Sequence, residues 1–370
     1  MRYRSIILVL TPIFYYTSTR NTVDIDVLKM VGPYYYKYEI VKGYFQQSED
    51  ATDDTKFDFA RPSPSQPFVS HPTDSRQRKE NFGLIDREYS TETSPTTQLR
   101  QHWTQFSEHI RALNSDTAPG ESYKVLFLGR HGQGWHNVAE SKYGTKAWDC
   151  YYSLLDGYGG MQWSDALLTD LGKEQARDVN ALWGELLPKG IPVPETFYVS
   201  PLTRAIETAD ITFNGFDLPE DRQYKPVVKE LLREALGVHT CDRRSTATHI
   251  QKTFPHLTLE PGFTETDQLW EADYREPGSA RDFRLSQFLD DVFEHDKGVF
   301  LSFTSHSGAL GSILRATGHR DFALQTGGVI PVVVKATRIE GEREAPPKEP
   351  YEAPPVCDSP PEPTAAPAME

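Results

Sequence analysis

Short apolar runs alternate with longer amphipathic segments between residues 121 and 338. Runs rich in Val, Leu and Phe predict strands at 124–128, 197–199, 227–228, 299–303 and 329–334. Segments with apolar residues at helical spacing predict helices that begin at Thr169, Pro201, Phe283 and Ser307. Strands that alternate with helices favour a three-layer α/β/α fold around a mostly parallel central sheet.

Residues 1–29 have the pattern of a leader. Arg2 and Arg4 precede an apolar run at 6–16, which is too short to span a membrane. This pattern is typical of a signal peptide. The alternative is that translation begins at Met30, in which case the leader is an extension of the gene model.

Residues 30–120 are interpreted as an N-terminal extension that is partly irregular. Between 46 and 98 the chain is rich in Asp, Ser, Thr and Pro, which predicts loop. One amphipathic helix docked on the core is predicted by apolar residues that recur at steps of three and four: Leu99, Trp103, Phe106, Ile110 and Leu113.

The C-terminal segment 339–370 has a different composition. It contains eight acidic residues, two basic residues and nine prolines. Such a segment buries too little apolar surface to offset the entropy lost on ordering. The sequence therefore predicts a disordered tail.

The net charge and the cysteines limit which functions and which cellular compartment the sequence predicts. A formal net charge of -14 argues against general nucleic-acid binding, although a local basic pocket can still hold a small anionic substrate. The three cysteines are too few and too scattered for a disulfide framework, so we expect reduced, mostly structural thiols. The chain also has no Asn-x-Ser/Thr sequon. These features favour the cytoplasm, with secretion as the alternative if residues 1–20 act as a signal peptide.

Polar motifs follow three of the predicted strands. They are Gly129-Arg130-His131-Gly132, Ser200-Pro201-Leu202-Thr203-Arg204 and Ser305-His306-Ser307-Gly308. Because ligands bind beyond the carboxyl ends of parallel strands, we expect two arginines and two histidines to meet at one edge of the sheet. Arginine forks fit phosphate oxygens, and histidine can be a nucleophile or a donor. The helix start at Ser307 and Gly308 would offer backbone N–H groups to an anion.

Together with His136-Asn137, these motifs resemble the histidine phosphatase superfamily, in its phosphoglycerate-mutase-like branch. The segments 130–140, 148–156 and 232–242 are most similar to fungal phosphomutase-like proteins. The acid phosphatase branch fits less well, since it would carry Arg and Pro after the first motif and Asp after the second histidine. The resemblance implies a phosphoglycerate-mutase-like fold and a catalytic domain over 121–338.

The resemblance also implies a mechanism without a cofactor or a metal ion. Neutral His131 would attack phosphorus and become a phosphohistidine, which water then hydrolyses. Arg130 and Arg204 would disfavour the imidazolium form and, with Asn137 and His306, hold the phosphoryl oxygens.

A general acid is expected after the third strand. By resemblance it lies in a Leu-x-Glu pattern followed by Gly, which Leu232-Arg233-Glu234 and Gly237 match. Glu234 is therefore the expected proton donor to the leaving group, and Glu230 is the nearest competitor.

Phosphomonoester hydrolysis on a small phosphorylated substrate is the leading function, and phosphoglycerate-mutase-type transfer is the nearest alternative. A non-catalytic interaction protein on the same fold is disfavoured because the motif residues are intact. Metal-dependent hydrolysis is disfavoured because the arginines would repel a cation. No membrane segment is expected in the mature protein.

Three features stay open at this point. His136 is expected to be less important chemically than His131. The polar stretch 239–244 is either an ordinary loop or the rim of the substrate pocket. The insert 141–168, rich in Tyr, Trp and Gly, either packs on the core or covers the pocket.

Overall fold

A computed structural model describes residues 34–54, 80–89, 99–351 and 356–361. Three predicted segments lie wholly or partly outside these ranges: the leader 1–29, much of the loop within 46–98, and 352–355 and 362–370 of the tail. What the sequence predicts for these residues stays a prediction. None of the helices in the described ranges is long and apolar enough to cross a lipid bilayer.

Strands and helices alternate over most of the described chain. The strands are β1 (Tyr34–Ile40), β2 (Glu121–Arg130), β3 (Gly157–Tyr158), β4 (Met161–Gln162), β5 (Thr196–Val199), β6 (Val227–Val228), β7 (Thr258–Leu259), β8 (Phe300–Ser305) and β9 (Val329–Glu340). The helices are α1 (Leu99–Ser115), α2 (Trp135–Tyr143), α3 (Thr145–Cys150), α4 (Asp170–Leu186), α5 (Thr203–Phe213), α6 (Ala247–Thr253), α7 (Gly278–His295) and α8 (Ser307–Ala316).

In the part of the chain that the structure describes, seven strands form the central sheet in the order β1-β9-β2-β8-β5-β6-β7. The five strands from β2 to β7 in this order are parallel, and β9 pairs antiparallel with both β2 and β1. The prediction of a mostly parallel sheet is confirmed. Strand β1 was not predicted; it pairs along its whole length with β9, from Tyr34 opposite Glu340 to Ile40 opposite Val334.

Helices cover both faces of the sheet, which gives the predicted three layers. One face packs against α7 and α8 through apolar side chains such as Phe288 and Leu310. The other face packs against α1, α4 and α5 through side chains such as Trp103 and Trp183, both buried. Helix α1 is therefore the docked helix that the spacing predicted.

The predicted helix starts are right for α4 and α8, wrong by two residues for α5, and wrong by five for α7, which begins at Gly278 instead of Phe283. Thr169 caps α4 by accepting a 3.0 Å hydrogen bond from the Gly172 N–H, and α8 begins at Ser307. Helix α5 begins at Thr203 rather than at Pro201. Thr203 is fixed there because its N–H and its hydroxyl both donate to the Asp165 carboxylate.

The C-terminal segment differs from the disordered tail that its composition predicts, within the part that the structure describes. Arg343 bonds both carboxylate oxygens of Asp290, at 3.0 and 2.8 Å. Farther along, Cys357 forms a disulfide with Cys150, whose Cα atom is 5.3 Å away. A half-buried ion pair and a covalent link supply the stabilisation that the composition lacks. The expectation that the thiols are reduced is therefore wrong for these two cysteines, and Cys241 is the free, buried one.

Candidate active site

The three polar motifs meet at the carboxyl ends of β2, β5 and β8, as the sequence predicts. The rings of His131 and His306 have their centroids 5.0 Å apart. Arg204 reaches the same place, with its Nε atom 3.4 Å from Nε2 of His131. Adjacent parallel strands bring these residues together because β8 lies between β2 and β5 in the sheet.

The surroundings of His131 fix both its tautomer and its charge. Its Nδ1 lies 2.7 Å from the carbonyl oxygen of Gly132, which can only accept, so the proton is on Nδ1 and the lone pair is on Nε2. The Gly132 N–H donates to Thr208, which holds this turn in place. Burial lowers the pKa of His131 well below its usual value, and Arg204 and Arg130 lower it further. His131 is therefore neutral, and its Nε2 carries the lone pair that a nucleophile needs.

Arg204 is buried, with 1% of its surface exposed, and all three of its nitrogen atoms have partners. Its two terminal nitrogens donate to the carbonyl of Cys241 at 2.6 Å and to Oδ1 of Asp242 at 2.9 Å. A planar guanidinium held at two corners has a fixed orientation. Its third nitrogen, Nε, then faces His131.

Arg130 and His306 contribute unpaired nitrogen atoms to the site. Arg130 donates from one terminal nitrogen to the carbonyl of Leu324 at 2.7 Å, while its buried Nε has no hydrogen-bond partner among the described residues. His306 contacts the hydroxyl of Ser200 through Nε2 at 2.7 Å, while its buried Nδ1 has no partner within the same part of the chain. Burial lowers the pKa of His306 well below its usual value, and Arg204 contributes to the same shift. Buried nitrogens without partners are costly unless a ligand satisfies them.

Glu234 lies beside the N-terminal end of α8. Its carboxylate oxygens accept hydrogen bonds from the N–H groups of Ala235 and Gly308, both at 2.9 Å. A guanidinium nitrogen of Arg281 is 3.7 Å from Oε1. The sequence predicted that the Gly308 N–H would face an anionic substrate, but it is paired with Glu234. Ser307 is exposed at the same helix start.

Asn137 lies on the first turn of α2, close to the site. Its Oδ1 accepts the Gly134 N–H at 3.0 Å, which turns the chain into the helix. The role of Asn137 toward substrate stays a prediction.

His136 is placed more centrally than the sequence interpretation expected. Its ring centroid is 5.3 Å from that of His131, and the side chain is buried. Burial lowers its pKa well below the usual value, and Arg204 and His131 act in the same direction. The sequence signal for this central placement is the position of His136 directly before Asn137, on the first turn of α2.

The sequence left two interpretations of the polar stretch 239–244, an ordinary loop or the rim of the substrate pocket. Its residues differ in their environment. Arg243 is an ordinary surface residue that pairs with Asp156 at 2.7 Å. Asp242 is buried behind Arg204, and Arg275 also bonds it. Arg275 had no sequence signal, since it lies in a loop without periodicity.

The insert 141–168 packs against its own aromatic residues and against the polar stretch. Its buried cluster includes Trp148, Tyr152 and Trp163 and reaches Cys241. The rings of Trp148 and His239 have their centroids 6.0 Å apart. The insert therefore forms a buried cluster of its own beside the polar stretch, and its role toward the pocket stays a prediction.

Potential ligand atoms of His239, Cys241 and Asp242 lie within 4.8 Å of one another, as in a metal site. However, both oxygens of Asp242 are already bonded to guanidinium groups, those of Arg204 and Arg275. Burial also raises the pKa of the Cys241 thiol well above its usual value, which disfavours the thiolate that metals bind. The donor set therefore does not fit a cation.

Comparisons with known proteins show which family the chain resembles. A family model described as the histidine phosphatase superfamily (branch 1) matches residues 156–332, a range that includes Arg204, Glu234 and His306. The chain is 48% identical over 310 residues to a probable phosphoglycerate mutase of Arthroderma benhamiae, covering 84% of this chain and 86% of the relative.

Two yeast proteins are also similar. The chain is 39% identical over 213 residues to phosphomutase-like protein 3 of Candida albicans, which covers 57% of this chain and 65% of that protein. It is 37% identical over 234 residues to a probable phosphoglycerate mutase of Saccharomyces cerevisiae, which covers 58% of this chain and 79% of that protein.

Proposed function

Since the chain belongs to the histidine phosphatase superfamily, we propose that it hydrolyses phosphomonoesters through a phosphohistidine on His131. The observation that carries the proposal is the neutral His131, whose Nε2 lone pair faces Arg204. Unpaired nitrogens on Arg130 and His306 support a phosphoryl group as the missing partner.

In the first step, Nε2 of His131 attacks phosphorus and forms the P–N bond while the bond to the leaving oxygen breaks. Charge builds on the phosphoryl oxygens in the transition state, where the guanidinium groups of Arg130 and Arg204 stabilise it. Because the two terminal nitrogens of Arg204 are already held by protein partners, the guanidinium needs little reorientation when its Nε passes from His131 to the phosphoryl group.

Glu234 supplies the proton that the leaving alkoxide takes up, and becomes a carboxylate. In the second step, a water molecule attacks phosphorus, the P–N bond breaks, and Glu234 takes the proton that the water loses. His131 returns to its neutral form and inorganic phosphate leaves. The hydrogen bonds from Ala235 and Gly308 hold the Glu234 carboxyl in place for both proton transfers.

Phosphoglycerate-mutase-type transfer is the second candidate, favoured by the names of the Arthroderma and Saccharomyces relatives. It would use the same phosphohistidine but would protect it from water and return the phosphoryl group to a second hydroxyl of the substrate. It would also need a cationic contact for the substrate carboxylate.

The test is a panel of phosphate esters, including 3-phosphoglycerate, assayed in EDTA for released phosphate and for mutase product. We expect phosphate release by the wild type, its loss in His131→Ala, and an acid-labile, base-stable phosphoryl label on His131. Mutase product in excess of released phosphate would select the second candidate. The absence of any label on His131 would reject both.

A further inference from the structure

Asp242 is a buried carboxylate that lies between two arginines. Oδ1 accepts a 2.9 Å hydrogen bond from Arg204, and Oδ2 accepts a 3.1 Å hydrogen bond from Arg275. Its backbone carbonyl accepts a third, at 2.6 Å, from Arg233. With 3% of its surface exposed, Asp242 has little room to contact a substrate itself.

Arg204 bonds Asp242 through a terminal nitrogen, whereas it faces His131 through Nε. The carbonyl of Cys241 and the carboxylate of Asp242 take the two terminal nitrogens of the guanidinium. Since the guanidinium is planar, these two bonds determine the direction of its Nε, which lies 3.4 Å from Nε2 of His131.

Arg275 changes the electrostatic effect of Asp242. A single carboxylate paired with Arg204 would cancel most of the charge that a phosphoryl group needs. The second guanidinium leaves the group of three with a net charge of about +1. Arg275 is itself held by a 2.7 Å bond to the carbonyl of Gly237, so it cannot turn toward the substrate without losing this contact.

We infer that Asp242 is a positioning residue for phosphoryl transfer, which acts by fixing Arg204 against His131 and touches neither substrate nor phosphorus. This inference rests on the proposed function of His131. The reactivity of an enzyme is sensitive to displacements of about 1 Å in a group that contacts the reacting atoms.

The first test is Asp242→Asn, which keeps the shape of the side chain and removes its charge. We expect kcat/KM to fall on the order of 10²-fold for aryl and alkyl phosphates alike, because Arg204 acts on both. The acid limb of the pH profile should move to lower pH, since the Asp242 carboxylate acts to raise the pKa of His131. This shift reports the charge of Asp242, and the double-mutant cycle with Arg204→Gln decides whether the residue acts through Arg204.

Asp242→Glu separates charge from position. It keeps a carboxylate between the two arginines but lengthens the side chain in a packed site. We expect kcat/KM to fall while the acid limb stays where it is in the wild type. This variant also serves if Asp242→Asn does not fold, as judged by thermal unfolding.

A double-mutant cycle with Arg204→Gln gives the decisive result. If Asp242 acts through Arg204, the Asp242→Asn change should cost little once Arg204 is replaced. An equal cost in both backgrounds, or wild-type kcat/KM in folded Asp242→Asn, would overturn the inference. Asp156→Asn is the matched control, because it breaks an exposed carboxylate–arginine pair, and it should leave kcat/KM unchanged. A wild type without a phosphoryl label on His131 would instead reject the proposed function.

Discussion

The Nε atom of Arg204 lies 3.4 Å from the Nε2 atom of His131, so a guanidinium donor faces the lone pair of the proposed nucleophile. This contact can exist only while Nε2 carries no proton. Arg204 therefore disfavours the protonated imidazole, and it remains close to Nε2 where a phosphoryl group would arrive. In the proposed mechanism, one side chain would both keep the nucleophile neutral and bind the group that it attacks.

Replacing Arg204 by Gln should move the acid limb of kcat/KM to higher pH. His131 must be neutral to react, and its pKa lies well below its usual value because of burial and Arg204. Without the guanidinium this pKa rises, so protonation inactivates the enzyme at a less acidic pH. The pH profile of kcat/KM on an aryl phosphate measures the shift. Arg177→Gln removes an exposed arginine paired with Glu174 and should leave the limb unchanged.

Acid should destabilise the folded protein below about pH 6.5, the usual pKa of an unfolded histidine. Burial lowers the pKa values of His131, His136 and His306 in the folded state, so the unfolded state binds more protons. Each group then costs up to about 1.4 kcal/mol of unfolding free energy per pH unit as pH falls. Urea unfolding at several pH values measures this slope.

His136→Asn should reduce that slope by about one group's contribution. His295→Asn is the control, because His295 lies on the surface with 59% of its side chain exposed, and it should leave the slope unchanged. A wild-type stability that does not change between about pH 6.5 and 5 would contradict the prediction.

The fold was predictable where the hydrophobic pattern is strong and local. The strand β8 and the helices α4 and α8 follow from apolar spacing and from caps such as Thr169. Strand β1 was missed because its pairing partner, β9, is about three hundred residues away in sequence and nothing local specifies that pairing. The disulfide was missed for the same reason, since Cys150 and Cys357 are 207 positions apart.

The site residues that the sequence predicts are those at or directly after the ends of strands. Arg130 is the last residue of β2, and His131 and His306 follow β2 and β8 directly, so the parallel sheet brings them to one edge. Asp242 and Arg275 reach the same place through long irregular loops, for which residue spacing predicts no position. The pairing of the Gly308 N–H with Glu234 depends equally on tertiary placement.

Reduction of the Cys150–Cys357 disulfide should lower the thermal midpoint. The bond closes a loop with a separation of 207 residues, so it restricts the unfolded chain strongly. We expect a loss of about 2–4 kcal/mol of unfolding free energy. Cys357→Ser should have the lower midpoint already and should not respond to reductant. Finding three reactive thiols in the unreduced, denatured chain, instead of Cys241 alone, would contradict the pairing.

Gly308→Ala should lower activity on substrates with poor leaving groups far more than on substrates with good leaving groups. A Cβ atom at Gly308 would lie 2.1 Å from Oε1 of Glu234 and 2.7 Å from Arg281, both mobile side-chain ends, so the helix persists but the carboxyl must move. Activity on alkyl phosphates should fall on the order of 10²-fold, with p-nitrophenyl phosphate nearly unaffected, as for Glu234→Gln. Gly311→Ala in the same helix, where Cβ is 3.4 Å from a side-chain end, should leave both activities unchanged. Equal losses on both substrates would assign Glu234 a structural role instead of proton transfer.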